Sequence, residues 1–299
     1  MYDIIIVGAG PAGLTSAIYA CRAKKSVLVL EANTYGGQIV NTLDIENYPV
    51  EEHISGFDFA TKLYNQTKNL GASIKFEKVV EIKDGSVKEV VTTKNVYKCK
   101  AIILATGAEN RKLGLPNEDD LVGKGVSYCA TCDGAFYKGR DVAVVGGGNT
   151  AIEDALYLSD ICRTVYLIHR RDKFKAEDVL IDKLNEKDNI KCIFNSNVTK
   201  LNASDKLSSV EINGDSTIDI DGLFIAVGRV PENQNFAKVI NLNDFGYVIA
   251  SEDCHTNVPG IFVAGDNRTK LLRQLVTATG DGAVAATEAI KYINGWCYV

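Results

Sequence analysis

Two cysteines lie close enough along the chain to form a redox pair. Cys129 and Cys132 are separated by two residues, and a tight turn at that spacing brings both sulfurs together, where a helix N-terminus would stabilise their thiolates. A zinc ribbon needs two further ligands, and the sequence has no second close pair of cysteine or histidine. We therefore interpret the pair as a redox disulfide and expect no metal, with zinc ligation and a structural role as alternatives.

Asp133 follows the second cysteine directly. Reduction of a disulfide releases thiolates that need protons, and a carboxyl group with a raised pKa can deliver them. No histidine is near the pair in sequence, so Asp133 is the nearest candidate for a proton donor. The alternative is a helix-capping aspartate, and the two roles are compatible.

The remaining six cysteines are scattered singly. We expect each of them to be a small buried hydrophobic residue. They are Cys21, Cys99, Cys162, Cys192, Cys254 and Cys297.

A glycine turn near the start of the chain predicts a dinucleotide site. The apolar run of residues 2–7 leads into Gly8-Ala9-Gly10-Pro11-Ala12-Gly13, then a helical stretch over 14–23 and an apolar run over 26–30 that ends in Glu31. This is the order of a βαβ unit, in which the glycines let the helix N-terminus approach a pyrophosphate. Glu31 suits ribose hydroxyls and would repel a 2′-phosphate, so the site fits FAD or NAD.

The same pattern recurs about 138 residues later. An apolar run over 141–145 leads into Gly146-Gly147-Gly148-Asn149-Thr150-Ala151, a helical stretch over 152–158 and an apolar run over 164–168. Ala151 stands where the third glycine would be, which is a tolerated variant. Two dinucleotide-binding domains are the economical interpretation.

The second unit ends in a basic segment instead of an acid. His169, Arg170 and Arg171 are followed by Lys175, and cations at this place suit the 2′-phosphate of NADP. A solvated basic turn is the alternative. One site for FAD and one for NADPH would allow a hydride to reach the flavin and its electron pair to pass to the cysteines.

Composition excludes several other classes of protein. The chain has 299 residues, 46% of them hydrophobic and 24% charged, with 33 basic and 38 acidic residues giving a net charge of −5. These values fit a folded protein of about two domains and offer no basic face for a nucleic acid. No apolar run reaches the roughly 18 residues of a membrane span. The N-terminus lacks a basic leader, so we expect a cytoplasmic location.

Further strands and one long helix complete the pattern. Apolar runs over 101–104, 222–227 and 260–263 read as strands, and residues 274–293 read as a helix. The fold class is therefore predicted as α/β with two Rossmann-like domains.

The whole set of motifs resembles the low-molecular-weight, bacterial-type thioredoxin reductases. The matching pieces are residues 8–13, Gly36-Gly37-Gln38, Glu46-Asn47-Tyr48-Pro49, Ala105-Thr106-Gly107, residues 129–134, residues 146–151, residues 169–176, Gly265-Asp266 and Leu272-Arg273-Gln274. The resemblance covers essentially the whole chain, and the Cys-Ala-Thr-Cys-Asp stretch is its most diagnostic part.

The resemblance implies a homodimer of two-domain subunits with the architecture of the class II pyridine nucleotide-disulfide oxidoreductases. An FAD domain would be built from residues 1–112 and 243–299, and an inserted NADPH domain, residues 113–242, would carry the disulfide. Electrons would pass from NADPH to FAD, to Cys129–Cys132 and then to thioredoxin. The inserted domain would rotate between the half-reactions, and we expect the hinges near residues 113–116 and 241–246.

The resemblance, together with the two glycine turns, also gives a set of expected contacts. Those to FAD are Gly8, Gly10, Pro11, Ala12, Gly13, Glu31, Ala32, Gly36, Gly37, Gln38, Asn47, Thr106, Gly107, Gly265, Asp266, Arg273, Gln274 and Leu275. Those to NADPH are Gly146, Gly148, Asn149, Thr150, His169, Arg170, Arg171 and Lys175. Asp266 would bind the ribityl chain, and the helix that begins near Gln274 would direct its positive end to the flavin.

Two positions depart from the pattern of these reductases. Lys175 stands where arginine is usual, which keeps the charge but loses the planar fork that grips a phosphate. Ala135 replaces one of two aromatic residues that help dock thioredoxin in relatives, which leaves Phe136. Adjacency to Asp133 makes Cys132 the expected flavin-side sulfur.

Other functions remain alternatives at this point. A related flavin reductase could use NADH or reduced ferredoxin, or serve a glutaredoxin-like or peroxidase-linked carrier, although Arg170 and Arg171 argue against ferredoxin. A non-catalytic flavin-binding sensor would need an effector surface that the sequence does not show. A disulfide-forming oxidase would have little use for a 2′-phosphate site.

Overall fold

A computed structural model describes residues 1–42 and 44–295 of the chain. Its strands are β1 (Tyr2–Val7), β2 (Val27–Glu31), β3 (Ser73–Phe76), β4 (Val79–Lys83), β5 (Lys88–Thr92), β6 (Val96–Leu104), β7 (Ala108–Asn110), β8 (Val126–Ser127), β9 (Asp141–Gly146), β10 (Thr164–Ile168), β11 (Ile190–Ile193), β12 (Val198–Ala203), β13 (Leu207–Ile212), β14 (Ser216–Asp219), β15 (Gly222–Ala226), β16 (Arg229–Pro231) and β17 (Ile261–Val263). Its helices are α1 (Pro11–Arg22), α2 (Gly56–Asn69), α3 (Ala130–Asp133), α4 (Asn149–Ser159), α5 (Asp178–Asn185) and α6 (Leu275–Asn294), with 3-10 turns at Gly37–Asn41, Asp119–Leu121, Gly134–Tyr137 and Gln234–Phe236.

The chain forms two compact units. The first unit is Met1–Glu109 with Val230–Val299, and the second unit is Asn110–Arg229. The first crossing lies close to the expected boundary after residue 112, but the second lies before Val230 rather than after residue 242. Phe236 and Ile240 explain the difference, because both side chains are buried in the hydrophobic cluster around the sheet of the first unit.

The sheet of the first unit combines parallel and antiparallel strands. The order is β3-β2-β1-β6-β5-β4, with β17 also paired to β6. The strand β6 serves both parts, since its first half pairs antiparallel with β5 and its last residues, Ile102 to Leu104, pair parallel with β17. The carboxyl ends of β1, β2 and the parallel end of β6 therefore meet at one edge, where an open parallel sheet binds its ligand.

The residues of β1 show why this sheet is buried on both faces. Ile4, Ile5 and Ile6 are fully buried. Ile4 and Ile6 pack into one hydrophobic cluster, and Ile5 and Val7 pack into another. A continuous apolar run is what a doubly covered parallel strand requires.

Helices α1 and α6 pack closely against one another on one face of this sheet. A Cβ at Gly282 of α6 would lie 2.3 Å from the carbonyl oxygen of Ala12 in α1. The Ser16 hydroxyl donates to the Gly282 carbonyl oxygen at 3.0 Å. The last long helix is thereby fixed against the first glycine turn.

The second unit holds a five-stranded parallel sheet in the order β11-β10-β9-β15-β8 and a three-stranded antiparallel sheet, β12-β13-β14. Val142 and Val144 of β9 pack into the cluster that contains residues of α4. Ala143 lies in the opposite cluster, with Leu201 and Val210 of the small sheet. The two predicted Rossmann-like βαβ units are thus confirmed.

The expected hinge segments lie inside the compact units. The Glu118 carboxylate accepts hydrogen bonds from the backbone N–H groups of Leu113, Gly114 and Leu115 at 2.8–3.2 Å, so this segment is tied down within the second unit. Residues 241–246 lie within the first unit. At the crossings themselves, β7 and β16 pair with each other.

None of the helices in the described residues is both long and apolar enough to cross a membrane.

Candidate active site

The first glycine turn contains glycines of two kinds. A Cβ at Gly8 would lie 2.2 Å from the Ala105 carbonyl oxygen, and one at Gly13 would lie 2.0 Å from the Gly8 carbonyl oxygen. These two positions exclude a side chain so that strand and helix can pack. A Cβ at Gly10 would meet nothing nearer than 4.0 Å. Gly10 is the N-cap of α1, Pro11 is its first residue and no side chain caps this end, so the backbone N–H groups there are open to a phosphate.

A second glycine pair lies beside this turn. The Gly36 N–H donates to the Ala9 carbonyl oxygen at 2.8 Å, and Gly36 and Gly37 have left-handed φ values of 102° and 62°. A Cβ at Gly37 would lie 3.3 Å from the Gly10 Cα. The two segments form a groove that carries no side chain at Gly10 and Gly37, a shape that suits the pyrophosphate of a dinucleotide. Gln38 follows in the 3-10 turn, with an exposed side chain.

Glu31 lies at the end of β2, where its carboxylate is held by the backbone. Oε2 accepts the Ala9 N–H at 2.8 Å, and Oε1 accepts the Asn33 N–H at 3.0 Å. Each oxygen keeps a lone pair that suits a ribose hydroxyl. A pocket of about 80 Å³ opens here, and its lining includes Gly8, Glu31, Ala32, Thr106 and Phe236.

Thr106 is fixed by two buried asparagines. Its hydroxyl donates to Asn233 Oδ1 at 3.1 Å and accepts from Asn267 Nδ2 at 3.1 Å. Asn233 also donates to the carbonyl oxygens of Gly246 and Asn267. The next residue, Gly107, has a left-handed φ of 67°, so this network sets the course of the backbone after β6.

Asp266 is positioned next to α1 by the residue before it. Gly265 has a φ of 90°, and a Cβ there would lie 2.9 Å from the Ala12 Cβ. The Gly265 N–H donates to Asp281 Oδ2 at 2.9 Å. Arg273 donates from Nε to the Asp266 carbonyl oxygen at 3.3 Å. The expected FAD contacts Ala12, Gly265, Asp266 and Arg273 are therefore brought together.

Asp281 is the centre of a buried ionic cluster. Its Oδ2 lies 2.8 Å from Arg268 Nε and 2.9 Å from Lys270 Nζ, and all three side chains are less than 9% exposed. Burial by itself would raise the pKa of this carboxyl group, but the hydrogen bonds from Arg268 and Lys270 hold the pKa below its ordinary value. The cluster fixes the loop that carries Asp266.

Gln274 is the N-cap of α6. Its side chain accepts from the backbone of Thr277, whose hydroxyl accepts the Gln274 N–H, and this reciprocal pair forms a capping box. Gln274 Oε1 also accepts from Asn47 Nδ2 at 3.3 Å. The structure thus brings Asn47 and Gln274 together across 227 residues, with Leu275 as the first residue of the helix.

The second glycine turn follows the same logic as the first. A Cβ at Gly146 would lie 2.5 Å from the Ala226 carbonyl oxygen, while a Cβ at Gly148 would meet nothing nearer than 3.8 Å. Gly148 is the N-cap of α4, without a side-chain cap. Asn149 and Thr150 are the first residues of the helix. The Asn149 side chain bonds to Glu177, donating to its carboxylate and accepting its N–H.

His169, one of the expected NADPH contacts, lies against the second glycine turn. Its side chain is buried, and its Nε2 lies 3.1 Å from the Lys173 carbonyl oxygen. A Cβ at Gly147 would lie 2.1 Å from the ring. His169 therefore packs against the glycine turn and supports it, and its contact with NADPH stays a prediction.

Arg170, Arg171 and Lys175 are exposed, and the described residues include no hydrogen-bond partner for their side chains. The Lys175 N–H donates to the Gly147 carbonyl oxygen at 2.7 Å. The backbones of Lys175 and Gly148 form an isolated parallel β-bridge. The basic segment is thus tied by its backbone to the turn that is open to a phosphate.

The two site cysteines are joined in a disulfide. The sulfurs of Cys129 and Cys132 are bonded to each other, and the Cα atoms are 5.3 Å apart. Cys129 is the N-cap of α3, and its carbonyl oxygen accepts the N–H groups of Cys132 and Asp133. The structure therefore holds the pair in its oxidised, disulfide form.

Asp133 lies at the end of α3, largely buried. Burial raises the pKa of its carboxyl group, and a hydrogen bond from the Ser127 hydroxyl to Oδ2, at 2.6 Å, acts in the opposite direction. A carboxyl group with a raised pKa can hold a proton and release it to a nearby base.

The other cysteines divide into two groups. Cys99, Cys162 and Cys254 are buried as expected, and Cys21 is half-buried. Cys192, on the edge strand β11, is exposed, so the expectation that it is buried is wrong. Cys297 lies outside the described residues.

Comparisons with known proteins identify the family of this chain. The family model of the pyridine nucleotide-disulphide oxidoreductases matches residues 2–282. A thioredoxin reductase of Listeria monocytogenes is 44% identical, over 98% of this chain and 94% of the relative, and one of Bacillus subtilis is 41% identical, over 98% and 95%. The crystal structure of thioredoxin reductase from Streptococcus pyogenes has a TM-score of 0.94 at 40% identity, and covers 99% of both chains.

The chain therefore belongs to the pyridine nucleotide-disulphide oxidoreductases, and within them to the low-molecular-weight, bacterial-type thioredoxin reductases. The predicted disulfide between Cys129 and Cys132 is confirmed by the pairing in the structure, and its interpretation as a redox disulfide is confirmed by the family to which the chain belongs.

Sequence reasoning missed several residues that fix the site. They are Glu118, Ser127, Asn233, Asn267, Arg268, Lys270 and Asp281. Ser127 offered one signal, since it lies two residues before the cysteine pair, and Asp281 offered another, since it interrupts the apolar face of a predicted helix. The asparagines gave none.

Proposed function

We propose that this chain is an NADPH-dependent thioredoxin-disulfide reductase in which a hydride passes from NADPH to FAD and an electron pair then passes to Cys129–Cys132 and on to thioredoxin. The observation that carries the proposal is the disulfide with Asp133 beside it, in the same unit as a phosphate-ready glycine turn and an exposed basic segment.

The first unit fits FAD. The side-chain-free groove at Gly10 and Gly37 would take the pyrophosphate, Glu31 would take the ribose hydroxyls, and Asp266 would take the ribityl chain. Bound FAD supplies two-electron chemistry between a nicotinamide and a disulfide. The residues of this chain contribute a rigid set of loops, because Asp281 and Arg273 hold the Asp266 segment from both sides.

The second unit fits NADPH. The start of α4 at Gly148 would take the pyrophosphate, and Arg170 and Arg171 would pair with the 2′-phosphate. Lys175 adds a point charge and no planar fork. We therefore expect this chain to prefer NADPH over NADH less strongly than it would with an arginine at this position.

Asp133 supplies the proton chemistry. When two electrons enter the disulfide, the S–S bond breaks and both sulfurs need a proton. Asp133 gives one proton and becomes a carboxylate, and the second comes from solvent. In the reverse sense, the same carboxylate can take a thiol proton when the dithiol attacks thioredoxin.

The two half-reactions need a change of domain arrangement. We infer that the chain crossings at 109–110 and 229–230, rather than the tied segments at 113–116 and 241–246, absorb the rotation. The expected contact for thioredoxin is Phe136. This residue lies in the 3-10 turn Gly134–Tyr137, which follows the disulfide, and its side chain is 42% exposed. A homodimer stays a prediction.

Purified protein loaded with FAD should oxidise NADPH only when thioredoxin is added. Replacement of Cys129 or Cys132 by serine should abolish the thioredoxin-dependent oxidation of NADPH. NADPH should still bleach the flavin absorbance of these variants under anaerobic conditions. The matched control is Cys192→Ser, which should behave as wild type. The proposal fails if wild-type protein with bound FAD shows no partner-dependent oxidation of NADPH, and a higher rate with NADH would contradict the role of Arg170 and Arg171.

A further inference from the structure

Ser127 is a buried hydroxyl that touches both the disulfide turn and its acid. It ends β8, which pairs in parallel with β15 through the Phe224 register, and it is 3% exposed. Its Oγ donates to Asp133 Oδ2 at 2.6 Å and accepts the Cys129 N–H at 3.0 Å. One side chain therefore holds the backbone of the first cysteine and the carboxyl group of the acid.

The electrostatic surroundings of Asp133 are otherwise sparse. Burial raises the pKa of its carboxyl group, and Ser127 is the group that lowers it. In the described part of the chain, Tyr137 is the titratable neighbour whose pKa is affected by the charge of Asp133. The pKa of Tyr137 is raised to about 12, mainly by burial and further by that charge. The charge of Arg140 lowers the pKa of Tyr137, and the charge of Asp221 raises it. These two side chains are about half exposed and form an ion pair at 3.9 Å. Ser127 and Tyr137 are both uncharged at neutral pH.

From this arrangement we propose that Ser127 is a positioning residue for proton transfer at the disulfide, which holds the Asp133 carboxyl group in place and stabilises the carboxylate left behind when the proton moves to sulfur. This inference rests on the proposed function. The S–S bond accepts two electrons and breaks, one proton comes from Asp133 and one from solvent, and Asp133 ends as a carboxylate.

The physical reason is the change in strength of the Ser127 hydrogen bond. A hydroxyl that donates to a neutral carboxyl group makes an ordinary bond, whereas the same hydroxyl makes a shorter and stronger bond to a carboxylate. Proton release from Asp133 is thus favoured at the moment when the sulfur needs the proton. Because the Cys129 N–H is held by the same oxygen, the distance between acid and disulfide is fixed by one residue.

The test compares Ser127→Ala with Ser127→Thr in the FAD-loaded enzyme across pH 5.5–9.5. Loss of the hydrogen bond should move the alkaline inflection of kcat for thioredoxin reduction upward by about one pH unit and lower kcat, while Ser127→Thr restores the wild-type profile. Ser208→Ala, which removes an exposed hydroxyl from β13 in the same unit, is the matched control and should leave the profile unchanged.

A second readout does not depend on turnover. The ¹³C resonance of the Asp133 carboxyl group, titrated in the oxidised protein, should report a pKa higher by about one unit in Ser127→Ala. Rapid flavin reduction by NADPH verifies that the variant is folded. An active wild type with superimposable pH profiles and titration curves in Ser127→Ala would overturn the inference, whereas an inactive wild type would refute the proposed function instead.

Discussion

Replacement of Glu118 by glutamine should loosen the segment that leads from the first chain crossing to the disulfide. Glu118 is 3% exposed, and its carboxylate accepts four hydrogen bonds. Oε1 accepts the Leu113 N–H at 3.0 Å and the Tyr128 hydroxyl at 2.6 Å, and Oε2 accepts the N–H groups of Gly114 and Leu115 at 2.8 and 3.2 Å. Tyr128 directly precedes Cys129, so this carboxylate ties the disulfide segment to the loop.

The magnitude follows from which bonds an amide can keep. If the amide nitrogen replaces Oε1, the Tyr128 hydroxyl can turn to accept, and only the Leu113 N–H loses its partner. If it replaces Oε2, two N–H groups lose theirs. The first orientation is therefore preferred. It leaves one buried N–H group without a partner and weakens the three other hydrogen bonds, which should lower the free energy of local unfolding by about 2–3 kcal/mol. Tyr128→Phe removes one donor and should cost about 1–2 kcal/mol.

Hydrogen exchange is the suitable assay, since a two-unit protein need not unfold in two states. The amides of Leu113, Gly114 and Leu115 should exchange about 30-fold faster in Glu118→Gln, the equivalent of about 2 kcal/mol. Tyr157→Phe, at an exposed position of α4 in the same unit, is the matched control and should change nothing. Unchanged exchange at all three amides in Glu118→Gln and Tyr128→Phe would refute the reasoning.

Three further outcomes are expected. Glu31→Ala should weaken FAD binding about 10- to 100-fold, because two hydrogen bonds to a charged group are lost, measured by the return of flavin fluorescence on dilution; equal FAD retention would remove Glu31 from the ribose site. Arg170→Ala with Arg171→Ala should raise KM for NADPH at least about tenfold and leave KM for NADH unchanged; parallel changes in both would show that the arginines do not read the 2′-phosphate. Asp281→Asn should destabilise the first unit by about 3 kcal/mol at pH 7. Since the folded pKa of Asp281 is lowered, its contribution is present above the ordinary carboxyl pKa and is lost as pH falls through the folded value, so the difference in Tm from wild type should shrink below about pH 4. A Tm difference that is independent of pH would contradict that assignment.

The sequence was sufficient to predict the parts of the fold that depend on local pattern. The two βαβ units follow from continuous apolar runs with glycine turns between them, and both were placed within a few residues of β1, α1, β9 and α4. The cysteine pair was predicted on spacing alone, because residues three apart at a helix start need no distant element to bring them together.

Other features depend on contacts between residues that are far apart in sequence. Residues 230–242 look like part of the inserted domain, and only the burial of Phe236 and Ile240 against the first sheet assigns them to the first unit. Glu118 looks like an ordinary surface acid, since a charged residue in a loop carries no pattern that distinguishes burial with a partner from exposure. His169 was predicted only as an NADPH contact, and its burial against Gly147 depends on packing that a basic segment in the sequence does not reveal.

The division of the first unit into two stretches of chain has a consequence for its synthesis on the ribosome. The sheet of this unit needs β17 beside β6, and α1 needs α6 against it, yet β17 and α6 are made after the whole of the second unit. The second unit, Asn110–Arg229, is contiguous and has all of its own strands when translation is only three-quarters complete. Domains fold in the order in which they emerge, so the disulfide-bearing unit should fold first and the nascent flavin site should stay incomplete until α6 leaves the exit tunnel.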